Sequence, residues 1–345
     1  MAPRIFVTGI TGYIGGQVIV HLYRKHPELD ITALVRNEEQ EKNVKAAFPQ
    51  IKTAIGDLNS IDTIVKLSAE VDIVLQCASA DHPVAAAAII KGIRSKPAGS
   101  PPGFCIHTSG TGILGDPSQG YGLPPDRVYD DIADIGVITS FSLERWHRNV
   151  DKIILEAAVS DPVDNPKIKT AIVCPPTIYG KGIGPVRQRS VQLPCLANAS
   201  LRRGKALCVH QGQNEWRNIH VADLADAYVI LVEKALKGGG GAGWNSEGYY
   251  FVENGQHIWG DLAKAVAADG FKKGYLTSAD VDQLSEEECL RLQGDPTPGP
   301  AIWGTNSLGI ASRIRTLGWE PRQQSLWDYV SEAVDIEAKA LGKSG

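Results

Sequence analysis

Short apolar runs and helix-patterned stretches alternate along the first half of the chain. "RIFVTGI", "DITALVR", "IKTAIGD", "VDIVLQCAS" and "GFCIHTSG" read as strands, and "GGQVIVHLYRKH", "EEQEKNVKAAF", "IDTIVKLSAE" and "AAAAIIKGI" between them read as helices. Near-continuous apolar strands alternating with helices predict a parallel sheet covered on both faces, the doubly wound α/β design. A helix beginning in "ERWHRNVDKIILEAA" then leads into "IKTAIVCPP", a sixth strand stopped by two prolines. Beyond it the pattern becomes irregular. A helix at "HVADLADAYVILVEKALK", a glycine turn at 238–243, the loop "QGDPTPGP" and a terminal helix in "SLWDYVSEAVDIEAKAL" are its main features. The expected division is a sheet domain over 1–178 and a smaller region over 179–345, with the helix at 221–237 packing back on the sheet.

Composition narrows the classes. A chain of 345 residues, 43% apolar and 21% charged, can bury one large or two modest cores. A net charge of -4 lacks the basic footprint of a nucleic-acid or anionic-membrane binder, so a small molecule is the expected partner. The six cysteines have no C-x-x-C or Cys/His spacing and read as reduced core residues, with no metal site expected. The first residues enter a strand almost at once and no stretch has the apolar length of a membrane span, which makes the cytoplasm the expected address.

The strongest motif is "VTGITGYIGG", which sets Gly9, Gly12 and Gly15 between a strand and a helix, with Thr11, Tyr13 and Ile14 in the same turn. The first glycine permits a tight turn, the second lets backbone N–H groups approach a pyrophosphate, and the third lets the helix pack closely on the strand. The helix N-terminus then faces the phosphates with its partial positive charge. This is a dinucleotide site. At the end of the second strand, "ALVRN" carries Arg36 where an acid would bond the ribose hydroxyls of NAD; an arginine accommodates the extra 2′-phosphate, so NADP(H) is the expected cofactor. Asp57 and Leu58, after the third strand, border the adenine, although an Asp there also serves as a helix cap.

Taken in order, the glycine motif, Asp57, "LQCAS", "HTSGTGILG", Lys152 with Glu156, "CPPTIYG", "WRNIHVADLADA" and "LGWEP" resemble the extended short-chain dehydrogenase/reductase superfamily, which includes NAD(P)-dependent epimerases, dehydratases and reductases. The resemblance covers nearly the whole chain. It implies that Lys152 holds the nicotinamide ribose, that Ala78 and Ser79 line the middle of the cofactor, and that Pro175 lies near the nicotinamide. It also implies that Arg217 faces the substrate, with Tyr179 on a loop that borders the substrate pocket, and that a homodimer is possible through helices on one sheet face. Read without the resemblance, Lys152 is a helix-face lysine facing Glu156.

The catalytic pair departs from the pattern. Where those enzymes read T-S-S after the fifth strand, "HTSGTG" puts Gly110 in the last serine position, and where they carry Y-x-x-x-K, "RNVDK" puts Arg148 in the tyrosine position. A guanidinium stays protonated; it can bind a carboxylate or stabilise an oxyanion but cannot give a proton at neutral pH. Arg148 either does this or pairs with an acid such as Glu144. His147, beside the tyrosine position, has a suitable ordinary pKa, and Ser109 and Thr111 flank Gly110 as substitutes for the serine. Three readings stand. One is an NADP(H)-dependent oxidoreductase acting on a carbonyl or alcohol with a non-standard proton source, Arg148 standing in place of the tyrosine. The others are a cofactor-binding regulator without catalysis, and a non-redox isomerase or lyase on the same fold.

Overall fold

The computed structural model describes residues 2–162, 166–292 and 299–343. The predicted alternation becomes a seven-stranded, wholly parallel sheet. Its strands are β1 (Arg4–Thr8), β2 (Asp30–Val35), β3 (Lys52–Ile55), β4 (Ile73–Gln76), β5 (Gly103–Thr108), β6 (Ile168–Cys174) and β7 (Tyr249–Phe251), in spatial order 3-2-1-4-5-6-7. The order reverses between β1 and β4, which is where an open parallel sheet leaves a crevice for a ligand.

Four connecting helices follow the sequence pattern: α1 (Tyr13–Lys25), α2 (Glu38–Ala47), α3 (Ile61–Ala69) and α4 (Pro83–Arg94). Their ends are chemically marked. Asn37 accepts from the Gln40 amide at the start of α2, and three glutamates occupy that helix's first turn. Pro83 opens α4 behind the His82 cap, and Arg24 and Lys25 close α1. The next helix, α5 (Arg148–Glu156), is shorter than the sequence suggests. His147 caps it in the left-handed conformation, so residues 144–147 are not helical.

The second half adds α6 (Gln192–Arg203), α7 (Val221–Leu236), α8 (Trp259–Lys272) and α9 (Leu326–Ala340). Helix α7 packs against α1, while α4 packs between α3 and α5. Helices α6, α8 and α9 enclose a separate apolar core with Trp216, Trp259 and Trp303. The seventh sheet strand was not anticipated: "YYF" is three residues long and fully buried, too short to show a period. Of the "QGDPTPGP" loop, residues 293–298 lie outside the described residues. None of the six cysteines, all among the described residues, is in a disulfide, and five of them are buried. No helix among the described residues is long and apolar enough to cross a membrane.

Candidate active site

A cavity of about 220 Å³ opens at the carboxyl ends of β1 and β2, over the start of α1. Its wall contains Gly9, Thr11, Gly12, Arg36, Asp57, Leu58 and Ala78, all named from the sequence, together with Gln40 and Arg187. Close backbone approach dictates the glycines. A β-carbon on Gly9, whose φ is +88°, would fall 2.6 Å from the Cys77 carbonyl carbon, and one on Gly15 would fall 2.3 Å from the Gly9 carbonyl oxygen. Asn37 holds the Gln40 amide while Gln40 accepts from the Arg36 amide, which fixes the backbone at the end of β2 and leaves the Arg36 guanidinium with no protein partner among the described residues. Asp57 accepts from the Asn59 amide and the Ser60 hydroxyl; these bonds, the Asn59 amide first, hold its carboxyl below the ordinary range. A dinucleotide's adenosine and phosphates fit this wall: bare glycine backbone, a helix N-terminus and unpaired guanidinium groups.

Other residues named from the sequence lie elsewhere. Tyr13 turns away from the cavity and donates to the carbonyls of Tyr179 (3.0 Å) and Gly180 (2.6 Å). Ile14 packs against the main core. Ser79 accepts from the Asp81 amide, and Pro175 accepts the Thr111 amide. Lys152 is partly exposed, its Nζ 3.7 Å from Glu156.

Around Gly110 the arrangement departs from the sequence reading in several places. Arg148 is buried, and its guanidinium donates to the carbonyls of Phe141 (3.1 Å) and Thr139, so it holds the preceding loop rather than an acid at Glu144 or an oxyanion. Arg148 and Lys152 do lie one turn apart on α5, with Arg148 the first residue of the helix, so it is the direction of the guanidinium that differs from the sequence reading. Ser109 is directed into the protein, donating to Asp151 at 3.1 Å. Thr111 is buried and bonded to Ser307 at 2.7 Å. Tyr179 is buried too, its hydroxyl donating to the Gln324 carbonyl at 2.7 Å. Arg217 lies on the strand Glu215–His220, where its amide donates to Ser307 and its Nε is buried with no hydrogen-bond partner.

His147 is the residue the geometry brings forward. Its left-handed conformation (φ 66°) swings the imidazole off the helix axis and back toward the turn after β5. Such a conformation costs a non-glycine residue about 1–2 kcal/mol. The carbonyl of His147 accepts the amides of Val150 and Asp151, and its Nδ1 lies 2.8 Å from Asp81 Oδ1. The other ring nitrogen, Nε2, faces Gly110, where a β-carbon would sit 3.0 Å from it. A carboxylate only accepts, so Nδ1 carries the hydrogen of this pair and Nε2 is the atom free to gain and lose a proton. The hydrogen bond from His147 keeps the Asp81 carboxyl below its ordinary range, and hence charged.

Beneath this pair lies a buried polar cluster. Asp151 accepts from Ser109 and from Tyr249 (2.9 Å), and His107 Nε2 stands 3.8 Å from its other oxygen. Burial pushes the Asp151 carboxyl up to about 6 and the His107 imidazole down to about 3. Sequence reasoning missed Asp81, Asp151, Tyr249 and Arg187. The first three are brought together only by tertiary packing, and Arg187 is one of several basic residues in "GKGIGPVRQRS", a stretch with no periodicity to single it out.

A Rossmann sheet with a glycine-walled cavity at its switch point defines a dinucleotide-binding protein. A family model described as NAD(P)H-binding matches residues 9–96. The chain belongs to one family with the oxidase ucsJ of an Acremonium species, and its fold is that of the epimerases and dehydratases of the extended short-chain dehydrogenase/reductase superfamily. The oxidase ucsJ of an Acremonium species is similar along the full length of both chains, at 31% identity over 364 residues. An uncharacterized protein of Saccharomyces cerevisiae is 25% identical over 95% of this chain and 97% of its own. Among solved structures, dTDP-glucose 4,6-dehydratase from Streptomyces venezuelae, with NAD and TYD bound, matches with a TM-score of 0.67 at 16% identity over 98% of each chain. UDP-glucose 4-epimerase from Thermotoga maritima, with UDP-glucose, matches at 0.62 and 15% identity over 98% of this chain and 99% of its own.

Proposed function

We propose that the protein is an NADP(H)-dependent oxidoreductase that interconverts a small-molecule carbonyl and its alcohol, with His147 as the proton donor and acceptor. The observation that carries this reading is the Asp81–His147 pair, with Nε2 directed at Gly110. NADP(H) is favoured over NAD(H) by Arg36 on the cavity wall, a fork suited to a phosphate. The oxidase relative supports redox chemistry over an isomerase or lyase.

The cofactor supplies a hydride at its nicotinamide. The glycine turn and Arg36 bind its phosphates, and Lys152 holds the ribose. A substrate oxygen beside Gly110 meets His147 Nε2, which gives a proton to that oxygen in reduction and takes it back in oxidation. Asp81 fixes the ring's tautomer and stabilises the imidazolium, as a carboxylate does for a catalytic histidine elsewhere. The absence of a side chain at Gly110 makes room for the imidazole: a serine there would crowd Nε2.

The test follows NADPH oxidation with a panel of aldehydes and ketones. His147→Phe is expected to lower kcat by roughly 10²–10⁴ with the NADPH Kd unchanged, and Asp81→Asn to lower it less. Equal turnover in His147→Phe and the parent would remove His147 from the chemistry.

A further inference from the structure

One loop from the second half returns over the cofactor cavity. Residues 180–189 cross the beginning of α1 and are fastened to it repeatedly. Tyr13 bonds the Gly180 carbonyl, and the Ile183 amide donates to Gln17 Oε1 at 2.9 Å. Gly184 lies against Gly16, so close that a β-carbon on Gly184 would come within 2.8 Å of the Gly16 Cα. The Arg187 amide donates to the Thr11 carbonyl at 3.2 Å, inside the glycine turn itself. Just beyond, Arg189 pairs at 2.5 Å with Glu337, which is buried on α9. The loop is thus a strap pinned to the sheet domain on one side and to the second core on the other.

Arg187 is the strap's contribution to the cavity wall. Its guanidinium has no hydrogen bond or ion pair among the described residues, and neither has that of Arg36 on the same wall. Two unpaired guanidinium groups facing one cavity repel unless anions lie between them. They are placed differently. Arg36 directly follows β2, and Gly56 and Asp57 line the same cavity, whereas Arg187 is tied to Thr11 in the turn that opens α1. A 2′-phosphorylated dinucleotide has two separate anionic groups, and the turn is the place for the pyrophosphate.

We propose that Arg187 binds the pyrophosphate of the dinucleotide, closing the cofactor site with a residue from the second half of the chain. This rests on the dinucleotide reading of the cavity, and the experiment separates the two. The full-length parent, Arg187→Gln and Arg36→Gln are titrated calorimetrically with NADPH and with NADH at one salt concentration, after thermal melting of each apo protein. If Arg187 meets the pyrophosphate, Arg187→Gln weakens both cofactors by the same factor, about tenfold or more, and leaves the NADPH to NADH ratio unchanged. Arg36→Gln weakens NADPH selectively. Undiminished binding by Arg187→Gln, or a loss confined to NADPH, overturns the assignment while leaving the cavity a dinucleotide site. A parent that binds neither cofactor overturns the dinucleotide reading and this assignment with it. The Arg187 side chain is exposed, so the variant is expected to melt with the parent.

Discussion

The turn that opens α1 and the turn that opens α5 are both places where a helix begins beside the carboxyl edge of the same sheet, yet they are built on opposite terms. At α1 the chain is stripped to glycine, and the polar groups on offer are backbone amides held by local geometry. At α5 the chain keeps a large side chain in a left-handed conformation, and the polar group on offer is an imidazole held by a carboxylate 66 residues away. The first construction suits binding, because every donor is present whatever the protonation state. The second suits proton transfer, because one atom can change its protonation while its neighbour is fixed. A site that must bind a dinucleotide and also move a proton gains from keeping the two apart.

The contrast can be attacked at either turn. The largest effect is expected at the first: Gly15→Val places carbon within 2.3 Å of the Gly9 carbonyl oxygen, so the strand and helix must separate. Loss of measurable NADPH binding, with destabilisation of roughly 3 kcal/mol or more in denaturant unfolding, is the expected outcome. Parent-like affinity would show that close approach is not what the turn supplies. At the second turn, Arg148→Met tests whether the arginine is structural. Two partly buried carbonyls lose their donor, so unfolding should cost about 1–2 kcal/mol less, while the NADPH Kd stays the same. Parent stability with lost turnover would instead restore Arg148 to the chemistry.

A smaller effect sharpens the description of the ground beneath His147. Asp151 titrates near 6 in the folded protein against about 4 when unfolded, so the native state holds the extra proton between those values. The carboxyl therefore favours folding fully below about pH 4, and that advantage declines as pH rises to about 6. Asp151→Asn still accepts from Ser109 and Tyr249 and avoids a buried charge. Its unfolding free energy should gain on the parent's across that window, by on the order of 2 kcal/mol, and stay level above it. A variant less stable than the parent at pH 7 would mean that His107 needs the anion.

How much of this was legible depended on the range of the forces involved. Gly9, Gly12, Arg36 and Asp57 answer to rules written within a dozen residues of one strand–turn–helix unit, and they share one cavity wall. The α/β alternation was legible for the same reason. The four-residue spacing of Arg148 and Lys152 on α5 was legible, but the carbonyls of Thr139 and Phe141 that take up the Arg148 guanidinium lie in a loop before the helix whose path local pattern does not give. The orientation of Ser109 and the value of Asp81 depend on partners 42 and 66 residues away, for which local pattern has no sign. Tyr179, read as bordering the pocket, answers instead to Gln324, 145 residues on.

The last sheet strand carries a consequence for how the molecule comes into being. Strand β7 pairs with β6 across some 75 residues of intervening chain, and Tyr249 at its start donates to Asp151. During synthesis the first six strands emerge well before it, leaving β6 as an unpaired edge and the carboxyl under His147 short of one donor. A nascent chain halted before Tyr249 would therefore already hold the glycine turn but neither the seventh sheet strand nor the Tyr249 hydroxyl that bonds Asp151. Any ligand that binds the folded glycine turn and not the unfolded chain stabilises such a half-made protein by mass action.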